Sequence, residues 1–205
     1  MYLLHRLQTP VDAVNTSATP NYVSGFPVDF LIEKSTGGSN TRIYDRLRGQ
    51  NQFYADNDWA EGTGRGSEEW DHMTGVKFVN SSNYYCWMWK RAPGFFDVAT
   101  YKGTGSARTV THNLGVVPEM MWIKNRDASE NWPVYHKGLD GGTNPETHYI
   151  RLNQTTAEAD SADWWNDTAP TASVFTVGTQ GQVNTNNQDY IAWLFATVAG
   201  VSKIG

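Results

Sequence analysis

The amino-acid sequence predicts an all-β protein made of two tandem antiparallel β-sandwich units, jelly-roll-like, with little helix. Aromatic residues make up 13% of the 205 residues and charged residues only 18%, a balance typical of thin cores between packed sheets. Turn-forming residues recur about every 8–12 residues between short segments of alternating character, which indicates short strands joined by turns. No long segment rich in Leu, Ala, Glu and Lys occurs, so a helix bundle is not expected.

An aromatic segment near the end of the chain has a counterpart earlier in the sequence. Residues 84–94 align with 190–200 at an offset of 106 residues, so that Trp87 corresponds to Trp193. Sequence self-similarity of this kind is the signature of a repeated structural unit.

A second, gap-free match lies upstream of the first. Residues 25–34 align with 115–124 at an offset of 90 residues, and the different offset indicates that loop length changed between two copies. The sequence therefore predicts a tandem duplication, with a first unit over 1–94, including a looser N-terminal arm at 1–24, and a second unit over 95–205. Units of about 100 residues can each close a hydrophobic core.

The strands of the first unit are predicted from apolar or alternating segments bounded by turns. Residues 30–32 are apolar and end at a Gly/Ser/Asn-rich turn, and 42–48 alternate as a strand with one wet face does. The polar, Gly-rich stretch 54–73 predicts a long surface excursion. Residues 76–79 and 84–90 are predicted to form a hairpin that closes the unit.

The second unit shows the same alternation of short strands and turns. Between its strands, residues 157–166 are compatible with either a helical turn or a loop. The predicted strands are 96–102, 108–111, 119–124, 132–136, 147–152, 173–177, 182–183 and 190–197.

Charge argues against a nucleic-acid partner. The net charge is −5, and neither half of the chain carries an excess of Lys and Arg, which a nucleic-acid surface requires. Cys86 is the only cysteine, so we expect no intrachain disulfide and a small buried side chain at that position. No signal peptide and no apolar segment long enough for a membrane span is visible, so membrane insertion is not expected.

Four motifs of the second unit carry a family resemblance. They are G-x-x-P-E-M-M-W-I-K-N-R from Gly115, N-W-P-V-Y-H from Asn131, A-P-T-A-S-V-F-T-V-G from Ala169 and D-Y-I-A-W-L-F from Asp189. The combination resembles a repeated domain of unknown function found in virion structural and tail-fibre-like proteins of tailed bacteriophages, often marine phages.

The resemblance covers essentially all of 95–205 and, more loosely, 25–94, where the first copy departs from the pattern over 59–70. It implies a β-rich module strung in series on a phage particle, and it implies no enzymatic activity.

Catalytic and cofactor motifs are not evident in the sequence. The five His residues lack the spacing of a metal site, and His112 reads most simply as a turn residue. Residues 62–66 are Gly-rich but lack the Lys-Ser/Thr of a phosphate loop. We therefore expect no catalytic residue, no metal and no cofactor.

Acidic residues of the two excursions leave a hydrolase as an alternative, because glycan hydrolysis uses paired carboxylates. The candidates are Glu68, Glu69 and Asp71 in the first unit and Glu158, Asp160 and Asp163 in the second. The two stretches correspond, since Ala60-Glu61 aligns with Ala157-Glu158 at an offset of 97 residues. Alternating oxygens at residues 55–58 could also hold calcium, or simply form a solvated turn.

Tryptophans in the polar excursions are the sharper candidates for binding. Exposed Trp beside Asp or Asn can stack on a sugar ring, and the alternative is a Trp that covers the end of its own sandwich or packs on a neighbouring subunit. Trp87, Trp89, Trp122 and Trp193 are instead predicted to lie in strands, in the core or on a sheet face. The candidates for glycan or interface contact are Trp59, Trp70, Trp164, Trp165, Asp163 and Asn166.

Together these features favour a non-enzymatic structural protein of a phage virion, exposed on the particle surface and made in the host cytoplasm. The favoured role is a tail-fibre, tail-tip or other appendage subunit that associates with copies of itself and with other virion proteins. A capsid decoration or head-fibre protein fits the same sequence, and so does a module that attaches the particle to a host surface glycan.

Overall fold

A computed structural model describes residues 19–38, 40–64, 66, 68–78 and 84–205, and the backbone of 5–7. The described chain is mostly antiparallel β-sheet with a few short helices, which confirms the predicted β class at that level. In this part of the chain, none of the helices has the length and apolar character needed to cross a membrane.

The chain divides into two compact units. Unit 1 comprises Met1–Asn57 and Glu61–Arg91, and unit 2 comprises Ala92–Gly205 together with Asp58–Ala60. The division after Arg91 lies three residues before the boundary expected from the sequence. Asp58–Ala60 are assigned to unit 2 although the residues on both sides of them in the sequence belong to unit 1.

Unit 1 consists of a six-stranded sheet in the order β1-β8-β3-β4-β5-β6 and a two-stranded ribbon, β2-β7. Its strands are β1 (His5–Leu7), β2 (Tyr22–Val23), β3 (Phe30–Ser35), β4 (Arg42–Asp45), β5 (Asn51–Tyr54), β6 (Gly62–Thr63), β7 (Gly75–Val76) and β8 (Tyr84–Trp89).

Unit 2 has a six-stranded sheet in the order β14-β13-β12-β11-β16-β9 and a ribbon, β10-β15. Its strands are β9 (Phe96–Lys102), β10 (Arg108–Thr111), β11 (Met120–Asn125), β12 (Pro133–His136), β13 (His148–Arg151), β14 (Ala159–Asp160), β15 (Val174–Val177) and β16 (Asp189–Phe195). Two 3-10 turns (Leu139–Gly142 and Pro145–Thr147) and two one-turn helices, α1 (Ala162–Trp165) and α2 (Gly181–Asn184), lie in its connections.

The central strand pair has the same register in both units. Phe30 of β3 lies opposite Trp89 of β8, and Met120 of β11 lies opposite Phe195 of β16. Adding 90 to the β3 number and 106 to the β8 number converts one ladder into the other over all six pairs. These are the two offsets that the sequence alignment provides, and strand register is fixed by which side chains must face the core.

The ribbons also correspond. Tyr22 pairs with Val76 in unit 1, and in unit 2 the β10–β15 ladder continues with the amide of His112 donating to the carbonyl of Ser173. Offsets of 90 and 97 residues relate the two pairs.

Each unit has a core cluster to which both its sheet and its ribbon contribute. In unit 1, Leu31 and Met88 from the sheet share a cluster with Val76 from the ribbon. In unit 2, Met121 from the sheet packs in one cluster with Phe175 from the ribbon. Apolar burial in these clusters is the main stabilising contribution in each unit.

Some predicted elements are wrong. The hairpin of 76–79 with 84–90 is not formed, because β7 pairs with β2 while β8 pairs with β1 and β3; residues 79–83, including the expected turn, lie outside the described residues. The predicted strand 182–183 is part of α2. The excursion 54–73 is shorter than expected, since β6 pairs with β5 inside it.

Candidate functional site

Each six-stranded sheet has a face opposite its core cluster, and that face carries a lysine. In β11, Ile123 points into the core cluster, so its neighbour Lys124 points to the other face, because successive side chains of a strand alternate. Lys34 holds the corresponding position in β3 of unit 1. We call this surface the lysine face of each unit.

Lys124 is fully buried on the lysine face of unit 2. Its Nζ donates hydrogen bonds to the carbonyl oxygens of Glu130, at 2.6 Å, and Asp58, at 2.9 Å. The amine also lies 5.8 Å from the ring centroid of Trp132, which stacks on Trp193. Burial lowers the pKa of Lys124 to about 8, and the charges of Asp58 and Glu130 oppose part of that shift.

The segment Asp58–Ala60 contacts Lys124 and also Ser129. The amide of Ala60 donates to Ser129 Oγ at 3.3 Å. Between the two contacts, Trp59 keeps 50% of its surface exposed. The arrangement is a three-residue stretch of backbone whose Asp58 carbonyl accepts a hydrogen bond from a buried amine.

In unit 1 the corresponding lysine is only partly covered. The side chain of Lys34 is 35% exposed and its Nζ lies 3.7 Å from Asp56 Oδ2. Asp56 Oδ2 also accepts a hydrogen bond from the amide of Thr41 at 3.0 Å. At the corresponding place in unit 2, Asn153 Oδ1 accepts a hydrogen bond from the amide of Trp132 at 3.1 Å. Unit 2 thus has a neutral amide where unit 1 has a carboxylate.

Trp164 and Trp165 each keep only 1% of their surface exposed, so neither ring faces solvent where it could stack on a sugar. Both lie in α1, a single turn that directs the two indoles into the core cluster, and Trp165 Nε1 donates to the carbonyl of His148 at 2.9 Å. Trp164 stacks on Tyr149 with ring centroids 4.0 Å apart. The alternative considered from the sequence, a tryptophan that covers the end of its own unit, describes both residues.

The two polar candidates beside this pair shape the turn. The amide of Asp163 donates to the N-cap residue Ser161, and Asp163 Oδ1 accepts from Thr179 Oγ1 at 3.0 Å. Asn166 ends α1 in a left-handed conformation, with φ 53°, which Asn tolerates better than most residues. These contacts give both residues a structural role.

Trp70 is also buried, and its Nε1 donates to the carbonyl of Gly49 at 2.8 Å. It joins the core cluster of unit 1 through an edge-to-face contact with Phe78. Trp59 is therefore the one tryptophan of the four candidates that presents a half-exposed ring.

The acidic residues of the unit 1 excursion make separate contacts. Glu68 is buried, Glu69 pairs with Lys77 and with His72, and Asp71 lies 3.6 Å from Arg46. Hydrogen bonding to Lys77 is the main cause that lowers the pKa of Glu69.

In unit 2 the corresponding carboxylates face solvent. Glu158 Oε2 accepts the amide of Asp140 at 3.1 Å, and Asp160 lies at the edge of the sheet in β14. Among the described residues, which include 55–58, no three His, Cys, Asp or Glu side chains form a group that could hold a metal ion.

His112 and Cys86 occupy buried structural positions. His112 Nδ1 accepts the amide of Leu114 at 3.2 Å and its Nε2 lies 3.2 Å from the carbonyl of Thr171, so the ring closes a turn as expected. Burial lowers the pKa of His112, although the Thr171 carbonyl and Asp97 oppose this. Cys86 is buried in the unit 1 core, which confirms the prediction for this residue.

An open depression of about 260 Å³ lies at one end of the unit 2 sheet. Its charged groups are Lys102, Arg126 and Asp189, and Lys102 Nζ pairs with Asp189 Oδ1 at 2.8 Å. The depression holds an ion pair that faces solvent, and this is a weak basis for ligand selection.

Sequence reasoning missed Lys124. The available signal was a lysine that continues the apolar run from Met120 to Ile123, where a solvent-facing strand would show alternation. At Lys34 the signal is interrupted, because Glu33 stands between the apolar run Phe30–Ile32 and the lysine.

Comparison with known proteins supplies a family. The model of a family described as a domain of unknown function (DUF7483) matches residues 13–205. No curated protein and no solved structure matches the chain.

Proposed function

We propose that this chain, which belongs to the DUF7483 family, is a non-enzymatic structural protein of a tailed-phage particle, most simply a tail-fibre, tail-tip or other appendage subunit. In this proposal it consists of two copies of one β-sandwich module, and it associates with copies of itself and with other virion proteins.

The single observation that carries the proposal is the repeated strand register. Each unit has a six-stranded sheet with the same strand order and a two-stranded ribbon. The offsets of 90 and 106 residues convert the residue pairs of the β3–β8 ladder into those of the β11–β16 ladder. Two unrelated antiparallel sheets of this size have no reason to agree in order and register together. Elongated assemblies can be built by repeating one module in series, because each added copy extends the structure with the same fold.

Smaller contacts also repeat, which supports duplication over convergence. Arg46 pairs with Asp29 at 3.1 Å in unit 1, and Lys137 pairs with Glu119 at 2.9 Å at the corresponding place in unit 2. Such an exposed pair contributes little stability, so its recurrence is better explained by common origin than by need. The resemblance of the 95–205 motifs to repeated modules of phage virion proteins supports the location.

A test is the protein content of purified particles. Phage particles purified on a density gradient would be analysed by mass spectrometry, and antibody-gold labelling would locate the chain on the tail or the head. We expect the chain at a fixed copy number per particle. Recovery only from the host lysate, with none in purified particles, would contradict the proposal. Gold on the capsid would select the decoration or head-fibre alternative.

Host-glycan attachment remains a second candidate because of Trp59, which keeps half of its surface exposed next to Asp58 in the sequence. A glycan array with the wild-type chain and with Trp59→Ala distinguishes it. Saturable binding that Trp59→Ala abolishes and Lys90→Ala, a change at another exposed residue, leaves intact favours attachment. Absence of binding leaves the structural role.

A further inference from the structure

The three-residue segment bound at Lys124 has an exact counterpart in position one repeat later. Residues 58–60 correspond to 155–157 at the offset of 97. Before residues 58–60, the amide of Asn57 donates to the carbonyl of Tyr54. Before residues 155–157, the amide of Gln154 donates to the carbonyl of Arg151. The chain therefore enters both segments with the same turn.

The two segments also end in the same way. After the segment in unit 1, the amide of Gly64 donates to the carbonyl of Gln50, and in unit 2 the amide of Ser161 donates to that of Thr147. The offset of 97 holds for both partners, so no insertion separates the two segments from their sheets. The chain therefore enters and leaves residues 155–157 through the same hydrogen bonds as residues 58–60.

Their surroundings differ. Asp58–Ala60 are bound to unit 2 through Lys124 and Ser129, whereas Thr155, Thr156 and Ala157 are all exposed. The two lysines differ as well. Lys124, which binds residues 58–60, is fully buried, whereas Lys34 is partly exposed. The chain thus presents one exposed segment and one partly open lysine face.

We infer that the 155–157 segment of one chain docks on the lysine face of unit 1 in a second copy of this chain, with Lys34 as its hydrogen-bond donor. The inference rests on the proposed function, since it names the surface through which copies associate. Lys34 Nζ would donate to the backbone carbonyl of Thr155, as Lys124 Nζ donates to that of Asp58.

The lysine face of unit 1 is suited to this contact. Tyr85 and Trp87 of β8 lie on it and are only partly buried, whereas their counterparts Ile191 and Trp193 in unit 2 are fully buried. Covering half-buried aromatic rings supplies apolar area, which is the dominant favourable contribution in most protein association. The present partner of Lys34 competes weakly, because an ion pair at 3.7 Å between two partly exposed side chains is screened by water and contributes little.

The geometry of the contact dictates the kind of assembly. The docking segment lies in unit 2 and the lysine that receives it lies in unit 1, so the two surfaces are different and the association is heterologous. Heterologous contacts produce closed rings or open chains of copies rather than an isologous pair. Each added copy again presents one segment and one lysine face.

The first experiment measures self-association of the full chain by sedimentation velocity over a range of concentrations. We expect concentration-dependent growth beyond a dimer. Lys34→Glu and Thr155→Lys should each weaken association about tenfold, and the two changes combined in one chain should restore most of it, because the introduced carboxylate and the introduced amine then attract each other across the contact. Lys90→Glu, the same charge change at an exposed lysine of unit 1, should leave association unchanged.

The second experiment places the two residues beside each other directly. Chains carrying Lys34→Cys are mixed with chains carrying Thr155→Cys and treated with a short bis-maleimide. We expect a linked heterodimer, whereas Lys90→Cys with Thr155→Cys should not link. Background is low because Cys86, the only native cysteine, is buried.

A monomer at every concentration overturns the inference, and so does cross-linking that is no greater for Lys34 than for Lys90. Association that Lys34→Glu and Thr155→Lys leave unchanged overturns it as well. None of these results affects the particle test, because a chain found in purified virions but monomeric alone would retain the proposed function and lose this contact.

Discussion

Lys34 and Lys124 hold the same position in the sheets of the two units, yet one is 35% exposed and the other is fully buried. The strands that carry them have the same register, so the strands do not cause the difference. It arises from what surrounds them, a carboxylate at Asp56 in unit 1 and the carbonyl of Asp58 in unit 2. A repeated scaffold can therefore give one residue two different roles through its loops.

The turn after β4 in unit 1 and the turn after β12 in unit 2 differ in the opposite way. Here unit 1 is the one with buried charged side chains. Arg48 Nε lies 2.6 Å from Asp45 Oδ2, and both side chains are essentially inaccessible. In unit 2 the residues at the same positions after the strand are His136 and Leu139, and Leu139 is buried. One unit thus closes this turn with an ion pair and the other with an apolar side chain.

The largest expected effect follows from that contrast. Arg48→Ala should lower the free energy of unfolding by about 3–5 kcal/mol, because it leaves the buried Asp45 carboxylate without its cation. It also removes the guanidinium from the ring of Phe53, 4.2 Å away. Urea denaturation followed by fluorescence measures the change.

Two variants sharpen this result. Asp45→Asn combined with Arg48→Leu, which makes the turn resemble that of unit 2, should recover part of the loss, since an apolar replacement of a buried pair is often tolerated. Lys102→Ala, which breaks the exposed pair with Asp189 in unit 2, should cost under about 1 kcal/mol. Equal losses for Arg48→Ala and Lys102→Ala would show that burial does not distinguish the two pairs.

The second effect tests the lysines themselves. Lys124→Ala should cost about 2–3 kcal/mol, because it leaves a cavity beside Trp132 and removes the donor to two carbonyl groups. Lys34→Ala should change stability by less than about 0.5 kcal/mol, as expected for a surface position. Denaturation of both variants under one condition checks the difference, and similar costs would mean that Lys124 is exposed in solution.

How well the sequence predicted the structure depends on whether a signal is local or reflects contacts between distant parts of the chain. The repeat offsets predicted a duplication, and the same offsets relate the β3–β8 ladder to the β11–β16 ladder, because register is fixed by which side chains must face the core. The hairpin prediction failed where a local turn signal at 80–83 competed with pairing of β8 to β1 and β3. For Trp164 and Trp165 the sequence left glycan contact and burial in their own unit both open, because neighbouring Asp and Asn indicate exposure while one turn of helix is enough to bury both rings.

The third effect is a pH dependence confined to unit 2. The pKa of Lys124 is about 8 in the folded chain and 10.5 when unfolded, so between these values the unfolded state binds more protons. Stability contributed by this group should therefore rise from about pH 8 to pH 10, by at most about 3 kcal/mol. The difference in unfolding free energy between the wild type and Lys124→Met isolates it from the tyrosines, and a constant difference over this range would contradict the prediction.

The smallest effect contrasts His112 with Tyr22, the residue at the same ribbon position in unit 1. Burial holds the pKa of His112 below its usual value, so the unfolded chain takes up the proton first as pH falls below about 6.5. Stability from this group is then lost, and protonation of Nδ1 also removes its acceptor role toward Leu114. Tyrosine gains no proton in this range.

His112→Tyr should therefore flatten the decline in stability between pH 7 and pH 5, and the reciprocal Tyr22→His should steepen it. Thermal unfolding of both variants beside the wild type at each pH measures the two slopes. Each substitution changes packing at every pH, so the slope of the melting temperature against pH, rather than its value, carries the comparison. If His112→Tyr keeps the wild-type slope, the acid sensitivity comes from carboxylates elsewhere in the chain. The ribbons of the two units then do not differ in their response to acid.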